Sequence, residues 1–411
     1  RDQEICLAEV LRDNGYRTAA IGKMHFTTQF VPKENEEDDW PADRYGFDVV
    51  HTTCDCKTGE YLTWLKQQSE KDYEIVKMQG ERKAKEDRAS AADKDLSGPP
   101  QVYPSEIDPR YHQSAWIADR MIDLIEESTP DQPFFALCSF VDPHHPFDPP
   151  APYSTMYDPD KLALPVRQEG ELDDKPPHFR RHRVGQGCSN EKYDYRRLTD
   201  HQWGEVKAAY YGMVSLVDYN IGRILQALRD KGITNDTLVL FTNDHGELMG
   251  DHGLLFKGPF HYDCLIKAPM ILSWPGVIPS GSRYKQITEH VDIMPTLLDF
   301  AGVRAPNGVQ GMSMAPILRG DGGAGREYAL TEFTCYDWGL NVKTITGRHY
   351  KLTYYAGEAY GELYDRDRDP NEFVNLWEHP EYQEIKQTLL RKLLDRVIET
   401  EDTLPLRIGK Y

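Results

Sequence analysis

The stretch from Thr237 to Lys257 constrains the fold more than any other part of this 411-residue chain. Thr237 to Thr242 (TLVLFT) is a short apolar, β-branched run, as expected of a strand covered on both faces. Directly after it come Asn243-Asp244-His245-Gly246-Glu247, then Gly250-Asp251-His252-Gly253 and Lys257. In open α/β sheets, ligands gather at the carboxyl ends of strands. Asp and His together suit a divalent cation there, and a lysine further on can neutralise a bound anion. The plain alternative is a polar turn capping the next element, because Asp-His-Gly alone is a weak signal.

The rest of the chain repeats a helix-then-strand rhythm. Glu4 to Asp13 has a helical apolar pattern, with Asp2 as candidate cap and Gly15 just past its end. Thr18 to Ile21 reads as a strand that leaves Lys23 and His25 at its carboxyl end. Residues 66 to 105 are polar and charge-rich, as in a solvated insertion. Trp116, Ile117, Met121, Leu124 and Ile125 form a helical stripe, and the strand Phe134 to Val141 then runs into Asp142-Pro143-His144-His145-Pro146-Phe147. Pro149 to Asp194 lacks periodicity and carries the basic cluster Arg180, Arg181, His182, Arg183. That cluster suits an anionic substrate or is simply a solvated charge run. A long helix over Thr199 to Lys231 feeds the strand at 237. After Gly320-Asp321-Gly322-Gly323 the pattern becomes that of an antiparallel meander, closed by a helix through Ile385 to Val397. The expected fold is therefore α/β, with a mostly parallel sheet flanked by helices over 1–320. A smaller antiparallel sheet plus helix is expected over 321–411.

Several of these segments, in this order, resemble the sulfatase family of the alkaline-phosphatase superfamily. They are Leu7 to His25 with its Gly-Lys-x-His end, Asp142 to Phe147, the Asp244 segment, Val291 to Leu298, and Gly361 to Asp365 continuing to Asp369-Pro370. The resemblance implies an alkaline-phosphatase-like sheet and a metal- and formylglycine-dependent sulfuric ester hydrolase. Its implied metal ligands are Asp244 and His245. Its implied catalytic residues are Lys23, His25, His144 and Lys257: the lysines hold sulfate oxygens, His25 serves the formylglycine hydrate, and His144 stands near the leaving oxygen. The adjacent His145 competes for that last role. For any one of these the plain reading is surface decoration or a turn residue. Calcium is the family's usual ion. The Asp-His pair, as in choline sulfatases and phosphonate monoester hydrolases, opens manganese as the alternative.

Family members begin with a strand of paired aspartates and a Cys/Ser-x-Pro-x-Arg segment whose first residue becomes formylglycine. None of Cys6, Cys54, Cys56, Cys138, Cys188, Cys264 and Cys335 is followed by x-Pro-x-Arg. The expectation is that this nucleophile segment precedes Arg1 and is missing from the sequence, and that 1–411 alone is inactive.

A net charge of −19 argues against nucleic acid, while a small anionic ester or sulfated saccharide still fits a locally basic cleft. No apolar run approaches the roughly 20 residues of a membrane span. The scattered cysteines make neither a disulfide framework nor a zinc finger. Compartment is left open, and so is a homo-oligomer. The runner-up within the class is a phosphonate monoester or phosphodiester hydrolase; the intact Lys23-x-His25 favours sulfate. Choline sulfatase lacks an evident aromatic cage here. Outside the class stands a non-catalytic binding protein that kept the fold.

Assay of residues 1–411 on aryl sulfate, with and without a matured formylglycine segment restored, tests this expectation. Turnover is expected only after restoration, at any metal concentration. Robust turnover by 1–411 alone would overturn the formylglycine mechanism.

Overall fold

The computed structural model describes residues 5–24, 45–55, 57–89, 97–187, 192–323, 325–335 and 338–401. His25 and the Asp2 cap lie outside them. In chain order the first elements are α1 (Leu7–Asp13), β1 (Arg17–Lys23), β2 (Val49–Thr53), α2 (Glu60–Gln68), α3 (Glu70–Arg88) and α4 (Gln113–Glu127). Then come β3 (Phe134–Ser139), α5 (Pro177–Arg183), α6 (Asp200–Lys231), β4 (Val239–Thr242), α7 (Asp263–Ile266) and β5 (Met270–Ser273). The chain ends with α8 (Ile293–Phe300), α9 (Ala315–Arg319), β6 (Ala329–Cys335), β7 (Leu340–Thr346), β8 (Tyr350–Tyr355), β9 (Gly361–Asp365) and α10 (Gln383–Glu399). Two compact units form, one from residues up to 164 with 197–237, the other from 165–196 with the residues after 237.

In the first unit the described residues form a parallel sheet of order β2-β1-β3. Thr18, Ala19, Ala20, Ile21 and Gly22 are all buried, because β1 is the central strand and has neighbours on both edges. Its one buried hydroxyl is satisfied: Thr18 Oγ1 donates to Gly46 O at 2.6 Å. Helix α1 packs on β1, and α4 packs on β1, β3 and α6. The stripe read from the sequence is the buried face of α4, with Trp116, Ile117 and Ile125 fully enclosed. Helix α6 starts with a capping box, Thr199 accepting from the Gln202 N–H and Gln202 accepting from the Thr199 N–H, and stops at Gly232 in the left-handed region. The charged stretch after residue 66, read as a solvated insertion, is helical through α3. Ser69 caps it, and the pair Lys83–Asp87 supports it one turn apart.

In the second unit β4 and β5 pair antiparallel, Val239 opposite Ser273 and Thr242 opposite Met270. The sequence suggested a strand covered on both faces, yet Phe241 is 39% exposed and its neighbours are half-buried. Among the described residues β4 also has a partner on one edge only. The meander is as expected, a four-stranded antiparallel sheet in the order β6-β7-β8-β9. Helix α10 closes it, with Leu389 and Leu393 packed among Ile345, Leu352, Leu363 and Trp377.

One contact explains why glycine precedes Lys23. Gly22 has φ +100°, and a Cβ there would stand 1.9 Å from Ser139 O of the adjoining β3. Gly22→Ala is expected to lower stability by on the order of 3 kcal/mol, through strain at positive φ and a forced shift of the β1–β3 pairing. Urea unfolding checks this; a loss under 1 kcal/mol would show that the sheet relaxes around the methyl.

Candidate active site

In the first unit Lys23 closes β1, and Gly22 pairs with Ser139 at the carboxyl end of β3. His144 lies in the loop leaving β3, so the parallel register brings Lys23 and the His144 loop to one edge of the sheet. His144 Nδ1 lies 2.6 Å from its neighbour's carbonyl, His145 O. Donation from Nδ1 to that oxygen leaves Nε2 as the working nitrogen. The two imidazoles stack with centroids 4.2 Å apart, but His145 is buried at 5% exposure, while the His144 side chain keeps 13%. His144 Nε2 faces Asp55 Oδ2 across 3.7 Å.

Behind this loop lies a buried ionic network. Ser114 Oγ donates to Asp142, His112 Nδ1 stands 3.5 Å from the same carboxylate, and the Lys57 ammonium pairs with Asp148. Ligand-type atoms of His112, Asp142 and Asp148 fall within 4.8 Å of one another. Lys57 already supplies a cation there, so the group works as an internal ion pair. Burial pushes the Asp142 and Asp148 carboxyls up, and burial with Lys57 nearby drives His112 down to about 3.

In the second unit Asp244 and His245 follow β4. Asp244 Oδ1 accepts the His245 N–H at 2.9 Å, and His245 Nε2 stands 3.6 Å from Asp244 Oδ2. His245 Nδ1 donates to Gly246 O at 2.7 Å. That bond is an orienting contact of the kind metal-bound imidazoles make, and it turns Nε2 outward, toward Asp244 Oδ2. The Asp244 side chain is 74% exposed, and the neighbouring Asn243 Oδ1 is buried without a hydrogen-bond partner. This donor set of carboxylate and imidazole fits part of the shell of a divalent ion. Burial pushes the Glu247 carboxyl up to about 7, against the opposing pull of the Lys257 ammonium. Glu247 accepts from the Leu248 N–H at 3.0 Å, so the carboxylate beside Lys257 is held by backbone. Gly246 fits because a Cβ there would stand 1.9 Å from Cys264 O.

A profile described as Sulfatase matches residues 1–303. The chain belongs to the sulfatase family. A second profile, N-sulphoglucosamine sulphohydrolase, C-terminal, matches residues 250–399 of this sulfatase-family chain. An arylsulfatase of Clostridium perfringens is 32% identical over 292 residues, 70% of this chain and 58% of that protein. An uncharacterised sulfatase of Escherichia coli is 26% identical over 412 residues, 96% of this chain and 72% of that protein. The solved phosphonate monoester hydrolase of Agrobacterium radiobacter superposes with a TM-score of 0.77 at 26% identity, covering 96% of this chain and 80% of that one. The fold is alkaline-phosphatase-like, and the family is typically metal-dependent.

Of the candidates, Lys23 and His144 share a sheet edge in one unit. Asp244, His245 and Lys257 share the region after β4 in the other. The sulfatase-family motifs gave no hint of Asp55, Lys57, His112 or Asp148. Asp55 sits inside Cys54-Asp55-Cys56, a segment too closely spaced to read as a disulfide framework, and no spacing rule joins it to residue 144. The basic cluster is not a uniform charged face. His182 is buried at 1% and bonded to Leu255 O at 3.1 Å, because α5 turns that side inward.

Three buried histidines predict acid sensitivity. Burial holds His112 and His261 near 3 and His178 near 4, with Lys57 adding to the effect at His112, Lys351 at His261, and His182 at His178. Depressed folded values mean that the unfolded chain binds these protons first. Their stabilisation is present above about pH 6.5 and is lost as pH falls toward 3–4, at about 1.4 kcal/mol per pH unit for each. Between pH 7 and 4.5 the urea midpoint is expected to fall less, or rise more, in His112→Gln than in the parent. The raised carboxyls of Asp142, Asp148 and Glu247 act in the opposite sense in both. An unchanged slope in that variant would show that His112 protonates in the folded protein.

Proposed function

We propose that this sulfatase-family protein hydrolyses sulfate esters, either of a sulfated sugar or of a small aryl or alkyl alcohol. One observation carries the reading: a carboxylate–imidazole pair and Lys257 follow β4, as they would at a centre for a charged ester. The arylsulfatase relative supports sulfate. Residues 1–320 would carry the catalytic machinery and 321–411 the C-terminal unit.

In this reading Asp244 and His245 hold a divalent ion, calcium or alternatively manganese. When bound, the ion lowers the charge at the sulfate oxygens and at the nucleophile. A formylglycine hydrate is the nucleophile that the family calls for. Lys23 and Lys257 neutralise the equatorial oxygens, on which charge spreads in the transition state. An ammonium is a compact charge suited to that task. The backbone-held carboxylate of Glu247 keeps Lys257 in place. His25 assists the hydrate. His144 Nε2 delivers a proton to the leaving oxygen.

Phosphonate monoester hydrolysis is the second reading, favoured by the TM-score of 0.77 to such an enzyme and by the Asp244-His245 pair. Lys23 weighs for sulfate. Side-by-side panels of aryl sulfates and phosphonate monoesters decide between them, and faster kcat/KM on phosphonates would reverse the ranking.

In the protein with its formylglycine in place, Lys257→Ala and His144→Ala are each expected to lower kcat by about 10²–10³. Thermal midpoints of the same variants should change little. A His144→Ala protein that melts early yet keeps near-normal kcat would remove His144 from the catalytic set.

A further inference from the structure

We infer that Asp55 is the carboxylate partner of His144, holding the imidazole protonated on Nε2 until that proton passes to the leaving oxygen. The inference rests on the role of His144 proposed above.

His144 spends Nδ1–H on His145 O at 2.6 Å, so a transferable proton has to sit on Nε2. That is the atom facing Asp55 Oδ2 at 3.7 Å. This separation is wide for a hydrogen bond to neutral imidazole and closes when the ring is charged, since catalytic contacts tighten in the reacting complex. The other oxygen, Asp55 Oδ1, is buried with no hydrogen-bond partner, so no other donor holds the carboxylate at that oxygen.

The two segments are tied together by other contacts. Lys57, just past Asp55, pairs with Asp148 at the far end of the His144 loop. Asp142 at the near end is held by Ser114 of α4. Gln113 of α4 donates to Cys54 O at 2.8 Å, fixing the turn on which Asp55 sits. Asp55 therefore stays opposite His144 without relying on their mutual attraction. Among the described residues His144 Nε2 faces Asp55 Oδ2 and the ring stacks on His145. Lys57 and Asp148 offset one another. Asp142 is directed at Ser114 and His112. Asp55 Oδ2 is the carboxylate oxygen that faces Nε2.

In the step itself the nucleophile, reacting as its alkoxide, bonds through oxygen to sulfur, and the sulfur–oxygen bond to the leaving group breaks. The leaving oxygen keeps that electron pair and takes the Nε2 proton, so His144 ends neutral. Asp55 does not change protonation. It is a positioning residue acting through His144, with most effect on leaving groups that need a proton.

The first test is direct and independent of activity. The His144 ring is followed by ¹H–¹⁵N spectroscopy in the 1–411 chain and in Asp55→Asn, with His144→Gln to assign the signal. The His144 midpoint is expected to fall by about one unit in Asp55→Asn and to be retained in Asp55→Glu. An unchanged midpoint overturns the proposal. The second test uses the formylglycine-bearing protein. Asp55→Asn is expected to slow alkyl sulfate hydrolysis by about a hundredfold and leave 4-nitrophenyl sulfate nearly unaffected; equal losses on both overturn the proposal. A displaced midpoint in a protein without sulfate ester turnover would keep the Asp55–His144 pair and sink the sulfatase reading instead.

Discussion

The contact between Gly22 and the carbonyl of Ser139 sets the geometry of the first unit. Side chains normally leave a sheet by its faces, but the positive φ of Gly22 would turn a Cβ toward the neighbouring strand. At this point a methyl group would approach to 1.9 Å. The missing side chain lets β1 and β3 run in register to their carboxyl ends, Arg17 opposite Phe134 through Gly22 opposite Ser139. Lys23 and the His144 loop leave the sheet from there. The glycine of the Gly-Lys-x-His segment is thus a packing requirement first, and the position of Lys23 follows from it.

The His144 loop illustrates how buried charge can fix a flexible stretch. Proline-rich backbone offers few amide donors, so the loop is held through carboxylates: Asp142 to Ser114 and Asp148 to Lys57. Removing one partner from such a network leaves an uncompensated charge, which is much more costly than the modest net worth of the intact pair. The second unit applies the same device to its meander. Lys351, with no exposed side-chain surface, is bonded to Asp263 at 2.9 Å and to His261 O at 2.8 Å, and it pairs with Glu372.

The α/β character, the buried stripe of α4, the capped α6 and the antiparallel meander were legible because each rests on local periodicity and capping. The covering of β4 was not legible. An apolar run shows that a strand can be buried, while the number of its partners depends on what pairs with each edge. The charged α3 was hard to read for the opposite reason: few apolar residues mark its face, and Ser69 with the Lys83–Asp87 pair supports it instead.

The sequence by itself pointed to the family and to the candidates Lys23, His25, His144, Asp244, His245 and Lys257, because short motifs carry those residues at fixed offsets past three separate strand ends. It could not determine that Asp55 faces His144, or that Lys57, His112, Asp142 and Asp148 form one buried network. Those residues come from separate segments, and only the packing of α4 and the β2 turn against the loop after β3 brings them within a few ångströms. Electrostatic partnership depends on distance in space and on burial, and neither can be read from the order of residues along the chain.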